Sequence, residues 1–570
     1  MNLLLEKSIK IWKWSLSLSA LIPAAVALVL YLLTINHGFV LDDNLVLTSN
    51  SHIKEGFAGI GDLFKYNYAH GHDGYNDGLY RPLSLVTFAI EQSWFDLSPK
   101  ASHFIQALLY ALTVLLIARW LALLFGSNIL AFWIALLFAV HPIHTEVTAN
   151  LKSRDEIMAM LFFAGAAFHF TQWVKTPSAK ALVLSAIWFF AATFSKESAV
   201  TFVAIFPLIG WYLNQDIKHT AMGSAVMLVP VAIFLLVRQN ILSSLPPVDS
   251  GVAGLLQNSL MEVGGFPERL ATAARIQGLY IQKLFLPWGL SHDYSYNAIP
   301  VVGLADPLGL MWILVNIGLI GLGVYGLIKK KLWSFGILFY YITIAVVANL
   351  FILIGAIAAE RFVFTPSLGW CIAIVLGLSA LKLADKQKAI VFGSVVVIFL
   401  ALTAMRIPDW KSNFTLFTAD VGTVPNSARA HYNAGSSMIE EAKIDKRNSA
   451  QLHADAQIHL RRAIEIWPDY QDAYNNLGIS YMNAGDYGNA RATFLELIEK
   501  FPRYVKVRYN IAMTCTQMQR FDEAELHFEA FLNANPKSNE ALFYCAEAEG
   551  YQQKLGEAIE HLNKLVALEP

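Results

Sequence analysis

Two adjacent carboxylates, Asp42 and Asp43, follow directly on the first apolar stretch of the chain. Charge beside a membrane segment is costly unless it has a partner or a task. One reading is local: aspartate caps a helix or opens a solvated loop. The other is chemical: a carboxylate lifted towards neutral pH by burial strips a proton from a hydroxyl, or the pair Asp42 and Asp43 holds a divalent metal. Further polar groups interrupt later apolar stretches. Residues 141–155 contain His141, His144, Glu146, Arg154 and Asp155. Without an HExxH arrangement the histidines point to contacts with acid, phosphate or hydroxyl groups, or to structural packing at a membrane interface, rather than to zinc. Lys196 and Glu197 stand between two apolar segments, as a local ion pair or as a phosphate ligand with its orienting partner. His292 and Asp293 open a dense run, His-Asp-Tyr-Ser-Tyr-Asn, whose aromatic faces suit sugars and headgroups. Glu360 and Arg361 precede another apolar run. Arg361, Lys196 and Arg154 are the candidate phosphate ligands. His141, His144, Glu146, Glu197, His292, Asp293 and Glu360 are candidate supports. There is no Ser-His-Asp elbow, Walker loop or dinucleotide fingerprint, so direct use of a nucleotide is not expected.

These residues must be positioned by membrane helices. The chain has 570 residues, 56% hydrophobic and only 15% charged, with a mean hydropathy of +0.46. A soluble domain is about 25% charged. The 42 basic and 43 acidic side chains nearly cancel, which gives no case for a nucleic-acid partner. Cys371, Cys515 and Cys545 form no CxxC and no disulfide framework. The basic start followed by an apolar run mimics a signal peptide but lacks a small-x-small site, so a retained helix over 14–35 is expected. A polar region over 36–103 follows, long enough to carry short surface helices. Apolar segments then recur near 104–124, 129–141, 156–172, 178–194, 198–213, 221–238, 271–288, 308–327, 333–355, 362–380 and 387–405.

Lysine placement orients them. Lys7, Lys10 and Lys13, the Lys175–Lys180 turn, Lys218, Lys329–Lys331 and the Lys382–Lys388 loop belong inside. Twelve full crossings would export the triple lysine. Eleven satisfy the rule if 271–288, with Arg269, Arg275, Gln277 and Lys283, is re-entrant or interfacial. The 36–103 region, the 141–155 cluster, Lys196–Glu197, the 239–307 region with Arg238, Glu360–Arg361 and the C-terminus then share the external side.

Beyond a linker over 411–427 the pattern changes. Pro468, Pro502, Pro536 and Pro570 recur every 34 residues, in phase with Gly478, Ala512 and Ala546, with Ala490, Ala524 and Ala558, and with Phe494, Phe528 and Leu562. Small residues let helices cross closely, large ones fill between them, and proline marks the next turn. This is a tetratricopeptide α-solenoid over 428–570, with an irregular unit 428–468 and regular units 471–504, 505–538 and 539–570. Such stacks present a concave face for a peptide or protein.

An external cavity with acidic and basic groups beneath a large polar loop suits group transfer from a lipid-linked phosphate donor. An aspartate activates the acceptor hydroxyl, and Arg or Lys stabilises the departing phosphate. The runs Leu41-Asp42-Asp43, His141 to Glu146, Ser195-Lys196-Glu197, and Glu360-Arg361 through Gly369, with the repeats, resemble the transmembrane and tetratricopeptide-repeat O-mannosyltransferases. The resemblance implies an all-α fold, a multi-pass glycosyltransferase C fold over 1–410 followed by the repeats. It also implies a polyprenyl-phosphate hexose donor, mannose in animal members, and a catalytic acid at Asp42 or Asp43. The acceptor would be Ser or Thr of a protein bound by the repeats. The compact chain reads as a bacterial relative, which puts site and repeats on the periplasmic or external side of the inner (cell) membrane. Arg406 to Trp410 departs from the family by lacking an Arg-Asn pair. No cofactor is required by this chemistry, although a divalent metal is compatible with it. The competing readings are another lipid-linked glycan or envelope-polymer transferase and a non-catalytic membrane scaffold. A transporter would show an internal duplication, which the sequence lacks.

Overall fold

The computed structural model describes residues 8–11, 14–245, 251–263 and 265–568. Lys7, Lys13 and Pro570 lie outside them. The chain divides into two compact units, Met1–Tyr294 with Ile299–Leu416, and Ser295–Ala298 with Phe417–Pro570.

The first unit is a helical membrane domain. Ser8–Ile11 pairs antiparallel with Trp14–Ser17, so the first helix starts later than the hydropathy indicates and runs from Leu18 to Tyr31. Among the described residues, six helices are long and apolar enough to cross a bilayer: Pro99–Phe125, Leu151–Lys175, Ile217–Ser243, Pro307–Ile328, Glu360–Ser379 and Asp385–Lys411. Asn128–Ala139 and Pro142–Ala149 form an apolar helix pair bent by 55°, and four apolar helices are shorter than the long spans. The bend falls at His141-Pro142, where proline cannot donate the helical hydrogen bond. Leu151–Lys175 is the most enclosed of the long helices, 78% of its apolar window being buried. Pro307–Ile328, at 11%, keeps its leucines on the outside, as a helix facing lipid does. The charged helix Phe266–Phe285 is not among the candidate spans.

The apolar stretch 333–355 is not one helix. Leu332–Ile344 and a short turn over Ala345–Val347 end it. Asn349 follows at φ +55°, a conformation asparagine tolerates. Its amide donates to the carbonyls of Ala356 and Ile357 and accepts the Ile354 N–H, folding the rest into a loop. Leu332–Ile344 meets Phe364–Ser379 where a Cβ on Gly369 would lie 2.5 Å from the Gly336 carbonyl oxygen. Glycine permits this backbone contact, a common device between membrane helices.

The polar region after the first helix packs its own core. Short helices at Ser51–Lys54 and Ile60–Leu63 fold against Pro82–Phe95, with Leu47, Ile53, Leu63, Tyr68, Leu85 and Phe88 buried between them.

The second unit is a stack of four helix pairs: Ala428–Ile444 with Ser449–Ile466, Gln471–Asn483 with Tyr487–Lys500, Val507–Gln517 with Phe521–Leu532, and Asn539–Tyr551 with Leu555–Leu568. The small residue of the period is needed where Gly478 faces Phe494, since a Cβ there would come within 2.3 Å of the ring. Ala490, Ala512, Ala524, Phe494 and Phe528 are fully buried. The corresponding Leu562, on the last helix, is 40% exposed.

Candidate active site

The two carboxylates of the opening motif have different surroundings. Asp43 is fully buried. Its Oδ2 accepts the Val40 N–H at 3.0 Å and its Oδ1 accepts the Lys152 N–H at 2.7 Å. Burial pushes its carboxyl up to about 7, against the pull of the two amides, and the adjacent Asp42 charge adds to the rise. The side chain of Asp42 is 49% exposed and accepts a hydrogen bond from Lys152 Nζ at 2.8 Å. One residue therefore clamps both acids, Lys152 through its backbone to Asp43 and through its ammonium to Asp42. Leu41, at φ +52°, donates its N–H to Asn413 Oδ1, and Gly38 donates to the Lys411 carbonyl. These bonds fix the approach to the pair.

Lys152 belongs to the turn Leu151–Ser153, which opens the helix Arg154–Lys175. The first residues of that helix carry the next charges. Asp155 accepts from Arg81 at 2.6 Å and from Lys196 at 3.3 Å, and Glu156 pairs with Lys196 at 2.7 Å. Arg81 also binds Glu197 at 2.7 Å and lies over the Tyr68 ring at 5.5 Å. Glu197 accepts the Tyr80 N–H as well. Arg81 thus ties the polar region after the first helix to two clusters that are distant in sequence. Burial works against its charge, but Glu197 and Asp155 outweigh that and hold it still more firmly protonated.

Arg361 donates from its backbone N–H and its guanidinium to the two oxygens of Glu146, at 2.8 and 2.5 Å. It also lies within electrostatic reach of Asp42 and Glu156. Glu360, one residue before, accepts from the Ser291 N–H and the Tyr294 hydroxyl, both at 2.7 Å, and so anchors the loop that carries His292 and Asp293. Both of those side chains are buried.

Other candidates turn inward. Arg154 is fully buried, with Glu91, Gln106, Thr87 and the Ser102 carbonyl around its guanidinium and Phe88 beneath it. A phosphate would reach it only by displacing Glu91. His144 is held between the Tyr110 hydroxyl and Ser367 Oγ, each at 2.8 Å. His141 bonds the Leu284 carbonyl and packs on Trp370 and Phe399. These groups secure the bend after Asn128–Ala139. Lys196 is nearly enclosed by its two acids.

The structure thus brings Asp42, Asp43, Glu146, Asp155, Lys196, Glu197 and Arg361 into one region, and adds Lys152, Arg81 and Glu156, which the motif reading does not single out. Its cations differ in reach: Arg361 and Lys152 side chains are 27% and 17% exposed, Lys196 7% and Arg154 none. Lys152 was legible as a basic residue beside Arg154 in the 141–155 run. Arg81, just before a helix-opening proline, gave a weaker signal. Asp43 spends both oxygens on amides, and Asp42 faces an ammonium. Among the described residues, groups of three or more metal-ligating side chains lie elsewhere.

Within the second unit, a cavity of about 380 Å³ is lined by Asn475, Tyr504, Tyr509, Asn510, Phe531 and Glu540, among others. Asn510 donates to Asn475 across adjacent repeats at 2.8 Å.

A family profile described as tetratricopeptide repeat matches residues 449–505 and 516–570. Protein O-mannosyl-transferase TMTC4 of Homo sapiens is 24% identical over 486 residues, covering 74% of this chain and 64% of its own. Protein O-mannosyl-transferase TMTC3 of Mus musculus is 25% identical over 466 residues, covering 75% of this chain and 48% of its own. The chain therefore spans only about half to two thirds of the length of these relatives. Among solved structures, a crystal structure of MamA covers 27% of this chain and 80% of its own, at 17% identity and a TM-score of 0.25.

Proposed function

We propose that this chain, a relative of the transmembrane and tetratricopeptide-repeat O-mannosyltransferases, transfers a hexose from a polyprenyl-phosphate donor to a Ser or Thr hydroxyl of a protein. The reaction takes place on the external face of the membrane, in a glycosyltransferase C fold of eleven crossings. The observation that carries the reading is the unequal acid pair, with a buried Asp43 near neutral pKa beside a half-exposed Asp42, and Lys152 joined to both.

The greater exposure of Asp42 supports it as the group that meets the acceptor, with the buried Asp43 as a fixed support. As the acceptor oxygen bonds to the anomeric carbon, Asp42 takes its proton and the bond from that carbon to the phosphate oxygen breaks. The leaving group is the polyprenyl phosphate. Arg361 and Lys152 are the cations with enough exposure to meet its growing charge. A donor phosphate that draws Lys152 Nζ away from Asp42 makes Asp42 a stronger base as the donor binds. Glu146 holds Arg361 in place, and Arg81 and Lys196 fix the wall formed by Asp155, Glu156 and Glu197. The repeats hold the acceptor. Asparagine amides such as Asn475 and Asn510 both donate and accept, which suits a polypeptide backbone.

The test is transfer to a Ser/Thr peptide pool by purified protein, from labelled polyprenyl-phosphate hexoses and from nucleotide sugars. Label incorporated from a lipid-phosphate donor, mannose among the first tried, supports the reading. Incorporation only from nucleotide sugars, or from no donor with correctly inserted protein, overturns it.

A further inference from the structure

The last repeat carries a side-chain cluster with no part in the proposed transfer. Cys545 and Glu549 stand four residues apart on Asn539–Tyr551, and so on one face of that helix. His561 reaches them from Leu555–Leu568. Cys545 Sγ lies 3.7 Å from Glu549 Oε1, and His561 Nδ1 lies 2.9 Å from the same oxygen. One ligand atom from each residue falls within 4.8 Å of the other two. Ligand atoms around tetrahedral zinc, at roughly 2.0–2.3 Å from the metal, stand about 3.3–3.7 Å from one another. Small side-chain movements suffice to close the set.

The repeat period supplies a second observation. One repeat earlier, Arg491 binds Glu523 at 2.9 and 2.5 Å, and Cys515 is beside them. Thirty-four residues on, these three positions are Glu525, Glu557 and Glu549. The guanidinium has become a carboxylate, and the three acids have oxygens within 4.8 Å of one another. Lys554 binds Glu525 at 2.6 Å. His561 pairs with Glu549 at 2.9 Å and compensates it only when protonated. Glu549 is fully buried. A buried carboxylate in an acidic surround is costly without a compensating cation.

We propose that Cys545, Glu549 and His561 bind a divalent metal, zinc by the mix of sulfur, nitrogen and oxygen, with a fourth position open to water. Glu525 and Glu557 add negative charge around it. The Cys545 thiol gives up its proton to solvent as the metal binds. The consequence is mechanical. In Leu555–Leu568 the one buried residue is Ala558, while Leu555 and Ile559 are exposed. Ligation through His561 ties this lightly packed helix to its partner.

The experiment uses full-length protein in detergent, stripped with a chelator and titrated with Co²⁺ and then Zn²⁺. The expected result is uptake of one Co²⁺ with a thiolate-to-cobalt charge-transfer band, which Zn²⁺ removes. Zn²⁺ slows amide exchange in Leu555–Leu568 about tenfold. Cys545→Ser loses the band, while Cys371→Ser and Cys515→Ser keep it. Glu549→Gln and His561→Gln weaken binding beyond the roughly 10–100-fold of outer-shell changes, with helix content checked by circular dichroism. Absence of the band in folded wild type, or its persistence in Cys545→Ser, overturns the proposal. Sugar transfer is a separate readout and bears on neither result.

Discussion

At the scale of residues, Asp43 makes a pH-dependent prediction whose sign follows from its burial. Its folded carboxyl is raised from 3.8 to about 7. Between those values the folded chain binds more protons than the unfolded one. The stability this group contributes is complete below 3.8 and is lost as pH rises through about 7. At 1.36 kcal/mol per pKa unit the loss is at most roughly 4 kcal/mol. Thermal melts in detergent at pH 5 and pH 8 should show it, with a flatter slope in Asp43→Asn. An equal slope in both proteins contradicts the assignment. Asparagine turns its NH₂ towards one of two amide donors, so this variant also loses about 1–3 kcal/mol at pH 5.

Arg361 is testable in a similar way. Arg361→Gln leaves Glu146 buried without its cation, a cost of about 3–5 kcal/mol. The double variant with Glu146→Gln removes that cost. If Arg361 meets the phosphate, the double variant regains stability but not rate, with kcat still down about 10²–10³-fold. Recovery of rate along with stability reduces Arg361 to a structural ion pair.

At the scale of elements, close packing of Leu332–Ile344 against Phe364–Ser379 fixes the helix that follows Arg361. A side chain at Gly369 meets backbone atoms at 2.5 and 2.6 Å, whereas one at Gly377 meets nothing within 4 Å. Gly369→Val should lower stability by about 1–3 kcal/mol or more, and Gly377→Ala should stay within about 0.5 kcal/mol of wild type. Melting both in the same detergent decides it.

The apolar helices were legible in the sequence because an unbroken apolar run leaves few other structures in a bilayer. The end of Leu332–Ile344 was not. The run continues in composition past Asn349, and only that side chain's bonds to Ile354, Ala356 and Ile357 turn it into a loop. The motifs were legible as residue types, but their pairings were not. Arg81 meets Asp155 and Glu197 at separations of 74 and 116 residues, and no local pattern encodes those contacts. His141 and His144 show the same limit: a chemistry-bearing residue type does not reveal that its ring nitrogens are already engaged in the core.

At the scale of the whole molecule, the chain joins a helical membrane unit to a repeat stack. The repeats were the most legible part, since four positions recur in phase and three of them have packing roles seen at Gly478, Phe494 and Ala490. If the stack holds the acceptor, Asn475→Ala with Asn510→Ala should raise KM for a peptide acceptor about 5–10-fold and leave kcat and donor KM unchanged, at about 0.5–1.5 kcal/mol per lost hydrogen bond. An unchanged KM places acceptor binding elsewhere.

In the proposed reaction the Asp42–Asp43 pair does the chemistry, with Asp42 as the base. The decisive experiment is single-turnover transfer from a polyprenyl-phosphate hexose by wild type, Asp42→Asn and Asp43→Asn at matched donor occupancy. The predicted result is a fall of about 10²–10⁴-fold in Asp42→Asn and a smaller one in Asp43→Asn, with both variants still binding donor. Transfer at the wild-type rate by Asp42→Asn would contradict it.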